Sequence, residues 1–223
     1  MDDLVIVGQI GQSLDGRIAT ASGHSKYINC DAGIEHLHRL RALVDVVVVG
    51  VGTAIVDDPQ LTVRKVSGPQ PVRAVIDPGG RLGNGARLFA DDGIRRLLIT
   101  VKGARCKPPA GVEIVALPAQ DGQIAPSAIV AALRRAGMRR ILIEGGANTV
   151  SRFLAAHCLD RMHVTVAPVI LGQGGPGIAL PPADRADRVP RMPVRVHKMA
   201  DDVLFDCDLS AQRVALGNAS RST

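Results

Sequence analysis

A chain of 223 residues, 46% hydrophobic and 22% charged, carries enough apolar material to bury a core as one large α/β domain, expected over residues 1–210 with a disordered polar tail over 211–223. No apolar run approaches the roughly 20 residues that cross a bilayer, and the opening MDDLVIVGQIG has acids where an export signal needs positive charge, so a soluble cytoplasmic protein with no membrane partner is expected. The formal charge of +6 favours anionic partners, but three Phe, one Tyr and no Trp leave none of the stacking platforms that single-stranded nucleic acid requires; a phosphorylated small molecule or cofactor fits the charge better.

Leu4 to Ile10 is a short run rich in Val and Ile and reads as a buried strand. SLDGRIA, Ser13 to Ala19, and GHSKYI, Gly23 to Ile28, read as a polar loop that either carries function or only connects. Asp31 stands where it can cap a helix whose apolar side is Ile34, Leu37, Leu40 and Val44. Asp45 to Val49 contains four consecutive valines, the pattern of a strand covered on both faces. That strand runs into GVGTAIVDDPQLTVR, where Gly50, Gly52 and Thr53 bring backbone N–H groups to the carboxyl end of the sheet, a place for an anionic cofactor although the glycines do not complete GxGxxG. Asp57 and Asp58 equally fit a turn before Pro59, and without a nearby His or Glu they make a poor metal ligand set; no metal is expected.

Val72 to Ile76, Arg96 to Val101, Val112 to Ala116 and Arg140 to Ile143 continue the strands, and Ser127 to Ala136 is an amphipathic helix closed by Gly137. In RRILIEGGANTVSRFL, Arg139 to Leu154, a strand ends in Glu144 and Gly145 and Gly146 open a helix, so a carboxylate and free helix N–H groups meet at one point. Glu144 either binds a polar ligand group or simply caps the helix. Val150, Phe153, Leu154 and His157 share one face of that helix. His163 to Leu171 reads as a strand ending in VAPVILGQGGPG, Val166 to Gly177, which is a lid or a connector. Val194 to Met199 and Val203 to Cys207 form an antiparallel hairpin. Parallel β-α-β units with antiparallel strands at the end imply a mixed, mostly parallel sheet with helices on both faces. Cys30, Cys106, Cys158 and Cys207 are too scattered for a CxxC pair and read as reduced thiols.

Taken in order over about Ile6 to Cys207, SLDGRIA, LRA, VGVGTAIVDDPQLTVR, ILIEGG and VAPVILG resemble the reductase domain of the bifunctional riboflavin-biosynthesis deaminase/reductase family. The zinc deaminase signature, HxE followed by PCxxC, is missing, so the resemblance is to a stand-alone reductase. It implies a dihydrofolate-reductase-like three-layer fold, a homodimer, and NADPH-dependent reduction of 5-amino-6-(5-phosphoribosylamino)uracil, a phosphorylated pyrimidine, to the ribitylamino product.

Carried over motif by motif, the resemblance places Thr53 and Asp57 on the nicotinamide cofactor, with Tyr27 standing where many relatives have Trp. The stretch Gly146, Ala147, Asn148, Thr149, Val150, Ser151 and Arg152 would cradle the diphosphate, and Thr100 would lie near the adenosine end. Ser25, Arg41, Leu61, Arg64 and Glu144 match substrate-binding positions, and Asp57 and Glu144 would be the catalytic pair. Chemically, Arg41 and Arg64 can fork a phosphate and Glu144 can accept from a pyrimidine's N–H groups. Lys102 and Arg105, just past Thr100, point to the 2′-phosphate of NADPH. A pterin-type substrate, or a nucleotide-binding module without turnover, remain the alternatives.

Overall fold

Four consecutive valines need apolar cover on both faces, and β3 (Val46–Gly50) receives it. Val46 and Val48 pack into one core with Ile129, Ile141 and Phe153, while Val47 and Val49 pack into a second with Leu40, Ala54 and Leu61. The computed structural model describes residues 4–25, 28–185, 187, 189 and 191–214. Parallel to β3 run β1 (Val5–Ser13), β4 (Val72–Ile76), β5 (Arg96–Val101), β6 (Val112–Leu117), β7 (Arg140–Glu144) and β8 (Arg161–Ala167). The antiparallel pair β10 (Val194–Met199) and β11 (Asp202–Asp208) finishes one edge, giving the order β10-β11-β8-β1-β7-β3-β4-β5-β6.

Helices cover both faces, as the alternating pattern implies. On one side α3 (Pro126–Arg135) contributes Ile129, Val130 and Leu133, and α4 (Ala147–Ala155) contributes Val150 and Phe153. On the other, α1 (Asp31–Leu43) supplies Leu40 and α2 (Val51–Asp57) supplies Val51 and Ala54. Among the described residues no helix is long and apolar enough to cross a membrane.

Four local expectations change. Cys30, not Asp31, is the N-cap of α1, and it makes no side-chain cap bond; Asp31 is the acid of the first turn. The buried face of α1 holds Gly33, His38, Leu40 and Arg41, whereas Ile34 and Leu37 are only half-buried because they line a cleft rather than the core. The first part of the segment read as a polar loop is strand: β1 continues to Ser13, turns at Gly16 and returns as β2 (Arg17–Thr20), which pairs antiparallel with β9 (Gly174–Pro176). Asp15 pins this flap, accepting hydrogen bonds from Ser13 Oγ (2.6 Å), Gly172 N (2.8 Å) and Leu171 N (3.1 Å), and these bonds, Ser13 first, take its pKa down to about 2. Finally, β8 stops at Ala167 rather than Leu171, since Pro168 has no N–H to continue a ladder.

The C-terminal hairpin forms as expected, its first strand over Val194–Met199 and its second one residue longer at each end, Asp202–Asp208, with Val196 directly opposite Phe205. Of the tail expected over 211–223, Ala211 and Gln212 belong to a 3-10 turn that begins at Ser210, and Val214 N donates to His157 O (3.0 Å); residues 215–223 lie outside the described residues.

Candidate active site

The carboxyl ends of five adjacent strands, β8, β1, β7, β3 and β4, open on one cleft of about 800 Å³. Thr165 and Gln9, within β8 and β1, and Glu144, Gly50 and Ile76, the last residues of β7, β3 and β4, line it in that order. Four strand spacings of about 4.8 Å make the cleft roughly 19 Å long, an elongated trough rather than a round pocket. Ligands of open α/β sheets bind at this carboxyl edge because the loops and helix starts gather there.

Glu144 is the last residue of β7 and lies at the floor of the trough. Its carboxylate accepts two hydrogen bonds from Arg41 of α1, Nε to Oε2 at 2.8 Å and Nη2 to Oε1 at 2.5 Å, and Arg41 Nη1 donates to Thr62 O at 2.9 Å. Both side chains are about nine-tenths buried. Burial alone would lower the Arg41 pKa; the charge and hydrogen bonds of Glu144 together outweigh it, and the pKa ends above its ordinary value. The pair thus fixes the carboxylate with one lone pair on each oxygen still free for a ligand N–H.

Beside Glu144 two helix starts interlock. Gly145 and Gly146 both have φ of +69°, a left-handed turn that swings the chain from β7 into α4. A Cβ on Gly146 would stand 2.4 Å from Thr53 Oγ1, and one on Gly50 would stand 2.1 Å from Thr149 Oγ1, so each helix start presses its threonine against the other's glycine. Both glycines and both threonines line the trough, and the first N–H groups of a helix have no partner within it, a donor set suited to a diphosphate. Across the trough Ser25 Oγ donates to Asp57 Oδ1 at 3.0 Å, joining residues 32 apart in sequence.

Most of the sequence-derived site therefore comes together: Ser25, Thr53, Asp57, Glu144, Gly146, Ala147, Asn148, Thr149 and Arg152 line the same cleft. Others do not. Val150 points into the core, and Ser151 Oγ accepts from Ala179 N (2.8 Å), because helical periodicity turns two of every few residues away. Arg41 is no open phosphate fork; its guanidinium is committed to Glu144 and Thr62. The Leu61 side chain is fully buried in the second core, at a backbone φ of +55°. Arg64 is exposed outside the cleft lining, bonded to Thr62 Oγ1 (2.8 Å). Its pKa is lowered by partial burial first, then by Arg41 and Arg87, as expected of a cation cluster that would welcome an anion. Thr100 is buried beneath the adjoining loop, donating to Pro78 O at 3.2 Å. Lys102 and Arg105 do not line the cleft, since the strand they follow, β5, lies beyond β4. Tyr27 lies outside the described residues. Asp58 keeps the turn role, its carboxylate accepting from Arg87 N at 2.8 Å.

Several lining residues escaped the sequence reading: Gln9, Asn29, Thr165, Ile76, Arg81 and Gln123. Asn29 is anchored by Nδ2 donation to Asp202 Oδ2 (3.0 Å) and Thr165 O (3.3 Å). Buried Asp202 also accepts from Cys30 N (2.9 Å). His38, buried behind the site, accepts from Arg64 N (3.0 Å); burial first, then Arg41 and Arg64, take its pKa down to about 4.

Residues 5–202 match the family model described as the RibD C-terminal domain. The chain is 30% identical over 178 residues to a 2,5-diamino-6-ribosylamino-4(3H)-pyrimidinone 5′-phosphate reductase of Archaeoglobus fulgidus, covering 73% of this chain and 80% of that one. It is 34% identical over 167 residues to the riboflavin biosynthesis protein RibD of Aquifex aeolicus, covering 73% of this chain and 46% of that one. Among solved structures, the diaminohydroxyphosphoribosylaminopyrimidine deaminase/5-amino-6-(5-phosphoribosylamino)uracil reductase of Thermotoga maritima superposes with a TM-score of 0.79 at 28% identity, over 92% of this chain and 56% of that one. The chain thus spans about half the length of the RibD proteins it matches.

Proposed function

The chain belongs to the RibD C-terminal domain family, with a dihydrofolate-reductase-like fold, and from that premise we propose that it uses NADPH to reduce 5-amino-6-(5-phosphoribosylamino)uracil to the ribitylamino product in riboflavin biosynthesis. The observation that carries the reading is the Glu144 carboxylate, held by Arg41 on the trough floor between the interlocked helix starts and the Ser25–Asp57 pair.

The glycines supply the fit test for a dinucleotide. Gly50 and Gly146 leave no Cβ in the wall, where a side chain would collide with Thr149 and Thr53, and all four residues line the trough. A diphosphate would rest on Gly146 to Thr149, with Arg152 beside it, and the nicotinamide would lie by Thr53 and Asp57. Bound there, the cofactor supplies a hydride for C1′ of the open-chain ribosylamine. The protein's part is placement: Glu144 accepts from ring N–H groups, Ser25 holds Asp57 in one orientation, and Ile34 and Leu37 exclude water from one side. Arg64, exposed and with Arg41 committed to Glu144, is the arginine of the two left to meet the substrate phosphate.

The same reduction carried out before ring deamination is a second reading, and one observation favours it: the chain covers most of the archaeal diaminopyrimidinone reductase but about half of the bifunctional proteins. The two rings differ in the group at C2, amino or oxo. Mass spectrometry after incubation with NADPH and each pyrimidine tests both: the favoured ring gains one hydride and one proton, and unchanged masses for both would reject the reading.

Two assembly features go with it. Val194, Val196 and Phe205 expose an apolar strip on the hairpin, which a second copy would cover in a homodimer. All four cysteines are free thiols, which suits a cytoplasmic enzyme.

A further inference from the structure

The β4 end of the trough differs in chemistry from the rest. Around Glu144 and Asp57 the lining carries carboxylates, whereas beyond Gly50 it consists of apolar Ile76 and Pro78 with Arg81 and Gln123. An additional phosphate on a bound dinucleotide would be repelled at the acidic end and attracted at this one.

Among the described residues lining the trough, the basic side chains are Arg81 and Arg152. Arg152 is engaged, donating through Nη2 to Ile124 O at 2.7 Å, and it stands on the helix that faces the diphosphate. Arg81 is exposed and has no hydrogen-bond or ion-pair partner among the described residues. Its backbone is nonetheless firmly held. Fully buried Asp77 accepts from Leu82 N through Oδ2 (2.8 Å), Gly80 N donates to Asp77 O (3.3 Å) at φ +64°, and Thr100 Oγ1 braces Pro78 O from below. A Cβ on Gly80 would be 2.8 Å from Cys106 Cβ, so the turn is pressed against its neighbour. A rigid turn presenting an uncommitted guanidinium is how a fixed phosphate is read.

We propose that Arg81 reads the 2′-phosphate of the cofactor, and that the turn Asp77 to Leu82, braced by Thr100, exists to present it. This rests on the NADPH reading above and replaces Lys102 and Arg105 in that role.

Calorimetric titration with NADP⁺ and NAD⁺ tests it without turnover. The wild type should bind NADP⁺ more tightly. Arg81→Ala should weaken NADP⁺ roughly ten- to hundredfold while leaving NAD⁺ within about twofold, the size of one lost charge-assisted contact. Arg81→Lys should recover part of the loss, and Lys102→Ala and Arg105→Ala should bind both dinucleotides as the wild type does. Arg81→Ala weakening both dinucleotides alike, or neither, would overturn the proposal, as would the selective loss falling to Lys102 or Arg105. A wild type that binds NAD⁺ as tightly as NADP⁺ would instead remove the NADPH reading itself, and the Arg81 role with it.

Discussion

Arg41 and Glu144, 103 residues apart, are joined by two parallel hydrogen bonds of 2.8 and 2.5 Å beneath the floor of the cleft. The arginine is a positioning residue for the carboxylate, and the two should respond differently to substitution. Arg41→Ala leaves a buried carboxylate unpaired and should cost about 3–5 kcal/mol of stability. Glu144→Gln keeps an acceptor for Arg41, so its fold should survive, while catalytic efficiency falls roughly ten- to hundredfold through loss of about 1.5–3 kcal/mol in charged hydrogen bonding. Thermal unfolding and steady-state kinetics check both; wild-type melting of Arg41→Ala would contradict the pairing.

Ser25 and Asp57 share one hydrogen bond across the trough. Asp57→Asn should lower kcat/KM by roughly ten- to hundredfold. Ser25→Ala should cost less, and the double variant should lose less than the two single losses combined, because the shared bond is removed by either change. Strictly additive losses would mean the two side chains act independently.

Gly146 and Gly52 separate a structural glycine from a tolerant one. At Gly146, φ is +69° and a Cβ would stand 2.4 Å from Thr53 Oγ1; at Gly52 nothing lies within 4 Å. Gly146→Ala should destabilise by about 1–3 kcal/mol through the strained backbone alone, and weaken cofactor binding. Gly52→Ala should melt like the wild type or slightly higher. Equal melting temperatures for the two variants would mean that the close packing of the helix starts is not under strain.

Much of this site is written in local sequence and the remainder is not. Gly50, Thr53, Asp57, Glu144 and Gly146 follow directly on apolar strands, and a strand that ends in Gly or Glu places its successor at the sheet edge by geometry alone. Ser25 and Asp57 stand in separate motifs, and their contact depends on a loop whose path no periodicity encodes. Arg41 has a charge and spacing that suit a phosphate, while its commitment to Glu144 depends on β7 passing under α1. Ile34 and Leu37 read as core because a cleft wall and a core face have the same helical spacing. Arg81 and Asn29 sit in irregular segments held by buried Asp77 and Asp202, and only the fold brings those supports beneath them.

Two histidines of α1 make stability depend on pH. His36, whose Nε2 lies 3.0 Å from His163 Nδ1, is taken down from 6.5 to about 4 by burial first and by His163 next, and His38 likewise falls to about 4. Both folded-state values lie below the unfolded one, so the unfolded chain binds more protons between about pH 6.5 and 4 and stability falls as pH drops through that window. The combined loss should be on the order of 3 kcal/mol after allowance for partial solvent screening. Urea unfolding at pH 7 and pH 4.5 measures it; a midpoint that does not fall at the lower pH would contradict the assignment.

The most direct test of the reductase reading follows the hydride itself. The protein is incubated with NADPH deuterated at the transferable position and with the phosphoribosylamino-pyrimidines or a dihydropterin, and the label is located by mass spectrometry and NMR. Deuterium should appear at C1′ of a ribitylamino-pyrimidine and not in the pterin. Deuterium delivered to the dihydropterin while both phosphoribosylamino-pyrimidines stay unlabelled, or no transfer to any of them, would contradict it.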